Sequence, residues 1–255
     1  MARIIAVVNQ KGGVGKTTTS VNIAASLSAT KRKTLLVDLD PQGNATSGSG
    51  VDKENVELSI YDLLVETQGA RSCILSDVAA GYDLIPSNSD LTGAEVALLD
   101  MPDREYLLEK ALRSIEADYS YIFIDCPPSL NMLTINALVS ADSLLIPAQC
   151  EYYALEGLSS LMSTIEKIKV SLNPSLKIDG LLRTMFDPRN NLALEVSKQL
   201  TDHFGDLVYR TVIPRNIKLA EAPSHGLPAL LYDRSSSGAA AYLALAGEML
   251  RKESA

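Results

Sequence analysis

Three short stretches of this chain hold residues able to do phosphate chemistry. The first is Asn9-Gln10-Lys11-Gly12-Gly13-Val14-Gly15-Lys16-Thr17-Thr18. An apolar run over residues 4–8 precedes it, and Val21, Ala24, Ala25 and Leu27 follow at helical spacing. Strand, glycine-rich loop and helix form the context in which a P-loop works. The small residues let backbone N–H groups of Gly12, Gly13, Val14 and Gly15 close on phosphate oxygens. The helix start at Lys16, Thr17 and Thr18 adds unpaired donors and positive dipole character. Lys16 is expected to reach the β- and γ-phosphates and the Thr17 hydroxyl to ligate Mg²⁺ directly. The loop departs from the general pattern G-x-x-x-x-G-K-[ST] in one respect. Gln10 stands where the first glycine should, and a second lysine, Lys11, sits beside it.

The second stretch, Thr34-Leu35-Leu36-Val37-Asp38-Leu39-Asp40-Pro41-Gln42-Gly43, is a strand that ends in two carboxylates. Strand side chains alternate, so Asp38 and Asp40 can point to one side. One can hold a Mg²⁺-bound water while the other orients the water that attacks the γ-phosphate. A helix cap or a turn beside Pro41 is the plainer alternative. The third stretch, Tyr121-Ile122-Phe123-Ile124-Asp125-Cys126-Pro127-Pro128, has the Walker B arrangement of apolar residues running into an acid. Asp125 is expected to bind Mg²⁺ through water.

These residues need a scaffold that brings strand ends together, and the rest of the chain supplies the pattern for one. Strands are predicted at 4–8, 35–39, 82–85, 121–125, 143–147, 178–185 and 207–213. Helices are predicted at 16–29, 60–64, 90–98, 104–117, 132–139, 155–171, 192–203 and 238–251. Continuous apolar strands alternating with helices predict an α/β fold: a doubly wound, mostly parallel sheet covered on both faces, as one domain over 1–255. Residues 41–58, rich in Gly, Ser, Thr and Asn, read as a mobile surface segment beside the site. With 46 % hydrophobic residues the chain can bury a sizeable core. Its three cysteines show neither disulfide nor zinc spacing, which suits a reducing cytosol. No membrane span is expected, and no signal peptide, since the first strand begins at residue 4. The net charge of −8 argues against nucleic acid unless a local basic patch exists. His225 follows Ser224, and adjacent residues do not give nucleophile–base geometry, so a loop role is expected.

Taken together, Lys-Gly-Gly-Val-Gly-Lys-Thr-Thr, Asp-Leu-Asp-Pro-Gln-Gly-Asn and Ile-Asp-Cys-Pro-Pro-Ser resemble the deviant Walker A ATPases of the ParA/MinD group. Arg183-Thr184-Met185-Phe186-Asp187, Ile213-Pro214-Arg215-Asn216 and Glu221-Ala222-Pro223-Ser224-His225-Gly226 resemble the ParA/Soj partitioning branch. The resemblance implies an ATP- and Mg²⁺-dependent switch. Monomers would bind ATP, form a sandwich homodimer and hold double-stranded DNA without sequence preference. Hydrolysis stimulated by a ParB-type partner would release them. Lys11 then matches the signature lysine that crosses to the partner's ATP, Lys16 the phosphate lysine in cis, Asp40 the water-orienting acid and Asp125 the Walker B acid. Gly12 lies where two subunits' loops would approach. Pro214 and Arg215 would lie near the adenine. ATP is favoured over GTP because no Asn-Lys-x-Asp element is present. Arg189 and Lys218 occupy positions used for DNA contact, with Arg215 beside them, although Lys218 replaces the arginine common there. The implied location is the bacterial cytoplasm, on the nucleoid. The membrane-bound MinD branch needs a basic amphipathic C-terminal helix, and the Ala-rich tail does not provide one.

Overall fold

The computed structural model describes residues 1–253; the last two residues of the expected 1–255 domain lie outside them. Seven strands form one sheet: β1 (Arg3–Val7), β2 (Thr34–Asp38), β3 (Asp83–Ile85), β4 (Tyr121–Asp125), β5 (Ser143–Gln149), β6 (Lys177–Phe186) and β7 (Val208–Pro214). Their order is β3-β2-β4-β1-β5-β6-β7, and the neighbours pair in parallel. All seven predicted strands are present. Chain order and sheet order diverge around β1, which lies between β4 and β5. In doubly wound sheets the crevice beyond the strand ends at such a point takes the ligand.

The helices are α1 (Lys16–Ala29), α2 (Asn44–Gly48), α3 (Ile60–Leu64), α4 (Ala94–Ala97), α5 (Leu107–Arg113) and α6 (Met132–Ser140). They continue with α7 (Ala154–Ser171), α8 (Asn191–Phe204), α9 (Ile217–Glu221), α10 (Ala229–Tyr232) and α11 (Ser237–Glu253). Strand alternation splits the core in two. Ile4, Ala6, Leu35, Val37, Ile122, Ile124, Leu144 and Ile146 face α3, α5, α6, α7 and α8. Ile5, Val7, Leu36, Tyr121, Phe123 and Leu145 face α1, α10 and α11. Each fully buried aliphatic side chain of this kind stabilises by about 1.5–3 kcal/mol. That burial of both faces explains why the strands are apolar throughout rather than alternating.

Two sequence expectations change. Residues 41–58 are not a loose surface segment: they contain α2, and Ala45, Thr46 and Ser49 there are fully buried. Gly43 opens the helix at φ 60°, and a Cβ on it would stand 2.9 Å from the Ser87 carbonyl. The stretches 90–98 and 104–117 are shorter than predicted, broken into 3-10 turns around α4 and α5. At the sheet edge, Glu248 of α11 accepts from the Arg210 and Thr211 backbone N–H groups at 2.8 and 2.9 Å. Those donors are thereby withheld from edge-to-edge pairing.

Candidate active site

The P-loop leaves β1 and turns into α1 through Gly15, whose φ of 87° is accessible to glycine at little cost. Around it lies a cavity of about 660 Å³ lined by Gly12, Gly13, Gly15, Lys16, Thr17, Thr18 and Asp40, among others. Thr184 of β6 fastens the loop by donating to the Val14 carbonyl at 2.8 Å.

The two lysines occupy different environments. Lys16 is 7 % exposed, and its ammonium donates to the Lys11 carbonyl at 3.2 Å. Burial lowers its pKa, an effect opposed by the nearby Asp125 and Asp40 carboxylates. Lys11 stands on the exposed rim and pairs with Glu151 at 2.5 Å. One lysine therefore faces into the cavity's floor and the other faces out of it.

Asp125 ends β4 in register with Asp38 on β2 and Val7 on β1. It is fully buried, and its two oxygens accept from the Thr17 and Ser20 hydroxyls, each at 2.7 Å. Thr17 and Ser20 share a helix face because they are three residues apart. Burial, and then the neighbouring Asp38 charge, raise the Asp125 pKa. Hydroxyl and carboxylate oxygens are the hard donors Mg²⁺ takes, and Mg²⁺ usually keeps several waters and substrate oxygens as its other ligands. Thr17 and Asp125 fit that requirement.

Asp38 has different company. It is fully buried, and one oxygen accepts from both the backbone N–H and the hydroxyl of Thr46, at 2.8 and 2.7 Å. The other oxygen accepts from the Asp40 N–H at 3.2 Å. Asp38 is absent from the cavity lining, whereas Asp40 is part of it. These bonds let Asp38 hold α2 against the strand end. Ser87 completes the clamp by donating to the Asp40 carbonyl at 2.8 Å. One Asp40 carboxylate oxygen accepts from Gln42 N–H at 2.9 Å.

The remaining predicted residues lie farther along the rim. Pro214 closes β7 opposite Phe186, and the Arg215 N–H donates to the Phe186 carbonyl at 3.1 Å; neither residue lines the P-loop cavity. Arg189 is 87 % exposed and forms a bidentate pair with Asp187, whose carboxyl it holds well below the usual range. Lys218 pairs with Glu221 at 2.9 Å and lies over the Tyr232 ring. Arg215 is exposed and carries no ion pair among the described residues. His225 stacks on Tyr232, and Ser224 donates to the Glu221 carbonyl, so the pair does not form a nucleophile–base couple. All three cysteines are buried and free. Sequence reasoning missed Ser20, Thr46 and Ser87. The Thr17–Ser20 spacing could have revealed the first of them; no local signal marks the other two.

A parallel α/β sheet with a P-loop at its switch point, a buried Walker B acid and a second acid on the adjoining strand defines a nucleotide-hydrolysing P-loop protein. The family described as an AAA domain matches residues 2–178. The sporulation initiation inhibitor protein Soj of Bacillus subtilis is 52 % identical, over 98 % of this chain and 98 % of that protein. The chromosome partitioning protein ParA of Myxococcus xanthus is 50 % identical, over 99 % of this chain and 89 % of that protein. Among solved structures, cobyrinic acid a,c-diamide synthase of Mycobacterium smegmatis with bound ADP and magnesium superposes with a TM-score of 0.87. It is 36 % identical and covers 100 % of this chain and 96 % of its own. The chain belongs to the ParA/Soj family of chromosome-partitioning ATPases.

Proposed function

We propose that this ATPase works as a partitioning switch. ATP would bind with Mg²⁺, two copies would close face to face on it, and the closed dimer would hold DNA through its backbone until hydrolysis releases it. The observation that supports this best is the separation of the two lysines. Lys16 is buried in the cavity, within the field of Asp125 and Asp40, so its charge would serve the phosphates of its own site. Lys11 is exposed on the rim in an ion pair that a second anion can replace, so its charge is available to a facing copy. Two like charges in one loop repel, and a γ-phosphate from a partner's nucleotide gives Lys11 a counter-charge.

Bound Mg²⁺ would neutralise charge on the β- and γ-phosphate oxygens. Within the chain, Thr17 and Asp125 would hold it, the loop N–H groups would orient the phosphates, and Asp40 would position the attacking water. Asp38 would fix the Asp40 backbone. Gly12 supports the dimer from another direction. Among the described residues, its two chain neighbours aside, nothing lies within 4 Å of a Cβ built there, and its φ is not positive. The monomer's own packing thus leaves room for a side chain at this position, and a facing loop is what would forbid one.

DNA contact is assigned to Arg189, Arg215 and Lys218, and a ParB-type protein bound to centromere-like DNA is the expected partner. The cytoplasm and the nucleoid would be the location. Doubling a small basic patch by dimerisation gives salt-sensitive, sequence-independent affinity, while an acidic monomer stays off DNA. A MinD-like reading, with positioning but no DNA, draws on one observation: Arg189 and Lys218 already carry acids of their own chain. Against its membrane form, α11 buries Tyr242, Leu245 and Met249 on the sheet, and no described helix is long and apolar enough to cross a membrane. A DNA mobility assay separates the readings. Retention with ATP but not ADP is expected; retention independent of nucleotide, or none at low salt, would sink the switch.

A further inference from the structure

The end of the sheet opposite the P-loop holds a second polar centre. β5 and β6 pair Leu144 with Ile178 and Leu145 with Gly180, so Asp179 is an extra residue on β6. A bulge of this kind re-aims a side chain. Asp179 is 8 % exposed, and its two oxygens accept from the Arg3 guanidinium and the Tyr209 hydroxyl. Gly180 makes room for that tyrosine, because a Cβ there would collide with its ring.

A cavity of about 580 Å³ opens here between the starts of β1, β5 and β6 and the end of α11. Its carboxylates are already engaged. Asp179 is held as described, and Asp142 accepts from the Ile4 N–H at 2.8 Å and from Arg113 at 2.7 Å. Its lysines are not matched in the same way. The ion pairs around the cavity belong to Arg3 and Arg113. Lys177 and Lys252 line it and form none among the described residues. Lys252 rests over the Tyr209 ring and gives one N–H to the Asp179 carbonyl at 3.3 Å; an ammonium has two more.

Ser143, at the start of β5, lines the same cavity. Its hydroxyl is buried and has no hydrogen-bond partner among the described residues. A buried polar group left in that state costs free energy, and native proteins leave few of them. Acceptors are therefore spent here while donors remain, which selects an anion over a cation.

We propose that this cavity binds a small divalent oxyanion of the phosphate class. Lys177 from β6 and Lys252 from α11 would match its two charges, and the Ser143 hydroxyl would donate to one of its oxygens. Lysine serves phosphate as a point charge, so the geometry it demands is loose. The anion would tie the end of α11 to the start of β6, and binding would stabilise the fold. The site stands apart from the nucleotide reading, since it shares no residue with the P-loop cavity.

Calorimetry with inorganic phosphate tests this, on full-length Lys16→Ala protein so that the P-loop contributes little. At constant ionic strength one phosphate per chain should bind and raise the melting temperature. Changing Lys177 and Lys252 together to Gln should weaken phosphate by about tenfold or more. Ser143→Ala should weaken it by about threefold. Without phosphate that variant should melt no lower than its parent, because the hydroxyl it removes has no partner. Absence of saturable binding would overturn the proposal. So would binding that survives the lysine changes, which places the phosphate elsewhere, or a Ser143→Ala protein with undiminished affinity.

Discussion

The two halves of the rim above the sheet are built differently. Around β1, β2 and β4 the three acids are buried or clamped. Asp125 is held by Thr17 and Ser20, Asp38 by Thr46, and Asp40 by Gln42 and Ser87. Around β6 and β7 the ladder slips, Met185 is strained, and Arg189 and Lys218 rest in exposed pairs with near neighbours. Exposed pairs of that kind add little stability and exchange readily. The first half is preorganised for one geometry, as phosphoryl transfer requires. The second half holds charges that a new anion can take over. The difference separates the part that does the chemistry from the part that would respond to it.

The comparison breaks most readily at Lys16. Lys16→Ala should weaken ATP binding by about 100-fold or more, because it removes a charge from a desolvated site; calorimetry showing unchanged affinity would take the chemistry out of this half. Next comes Asp40→Ala. Binding should survive, turnover should fall about 100-fold or more, and the ATP-bound dimer should accumulate. A variant that stays monomeric with ATP contradicts the role given to Asp40.

A smaller effect reports on burial. The folded pKa of Asp125 is raised above 3.8, to about 7, so the folded state holds this proton more tightly than the unfolded chain. Its contribution to stability is thus full below about pH 4 and lost as pH rises through about 7. Asp125→Asn cannot ionise. Without ligand its melting temperature should gain on wild type as pH rises across that window. A difference that is flat with pH would mean the carboxylate is not desolvated. The smallest effect belongs to the exposed half. Arg189→Glu should still dimerise with ATP but bind DNA about tenfold more weakly, with a shallower salt dependence. Normal DNA retention would return Arg189 to a solvated face.

The same division governs what the sequence makes legible. All seven strands follow from apolar runs, and α1 begins and ends where its spacing predicts, because both are fixed by local pattern. Asp125 is legible since four apolar residues run into it. The misreading of 41–58 has a physical origin. Gly43, Gly48 and Ser49 look like loop residues, yet Thr46 folds in under a carboxylate eight residues back and Ser87 arrives from 41 residues ahead. Pattern rules do not see contacts of that range. Met185 is invisible for another reason: nothing in a methionine announces a positive φ. The pairs Asp187–Arg189 and Lys218–Glu221, by contrast, have spacings of two and three residues and could have been anticipated from sequence.

The central claim is that Lys16 serves its own nucleotide while Lys11 serves a facing copy's. Light scattering of wild type and Lys11→Ala, each with ATP, with ADP and with neither, tests it most directly. Wild type should double its mass with ATP alone, and Lys11→Ala should bind ATP yet keep the monomer mass throughout. A Lys11→Ala protein that still dimerises on ATP would contradict it.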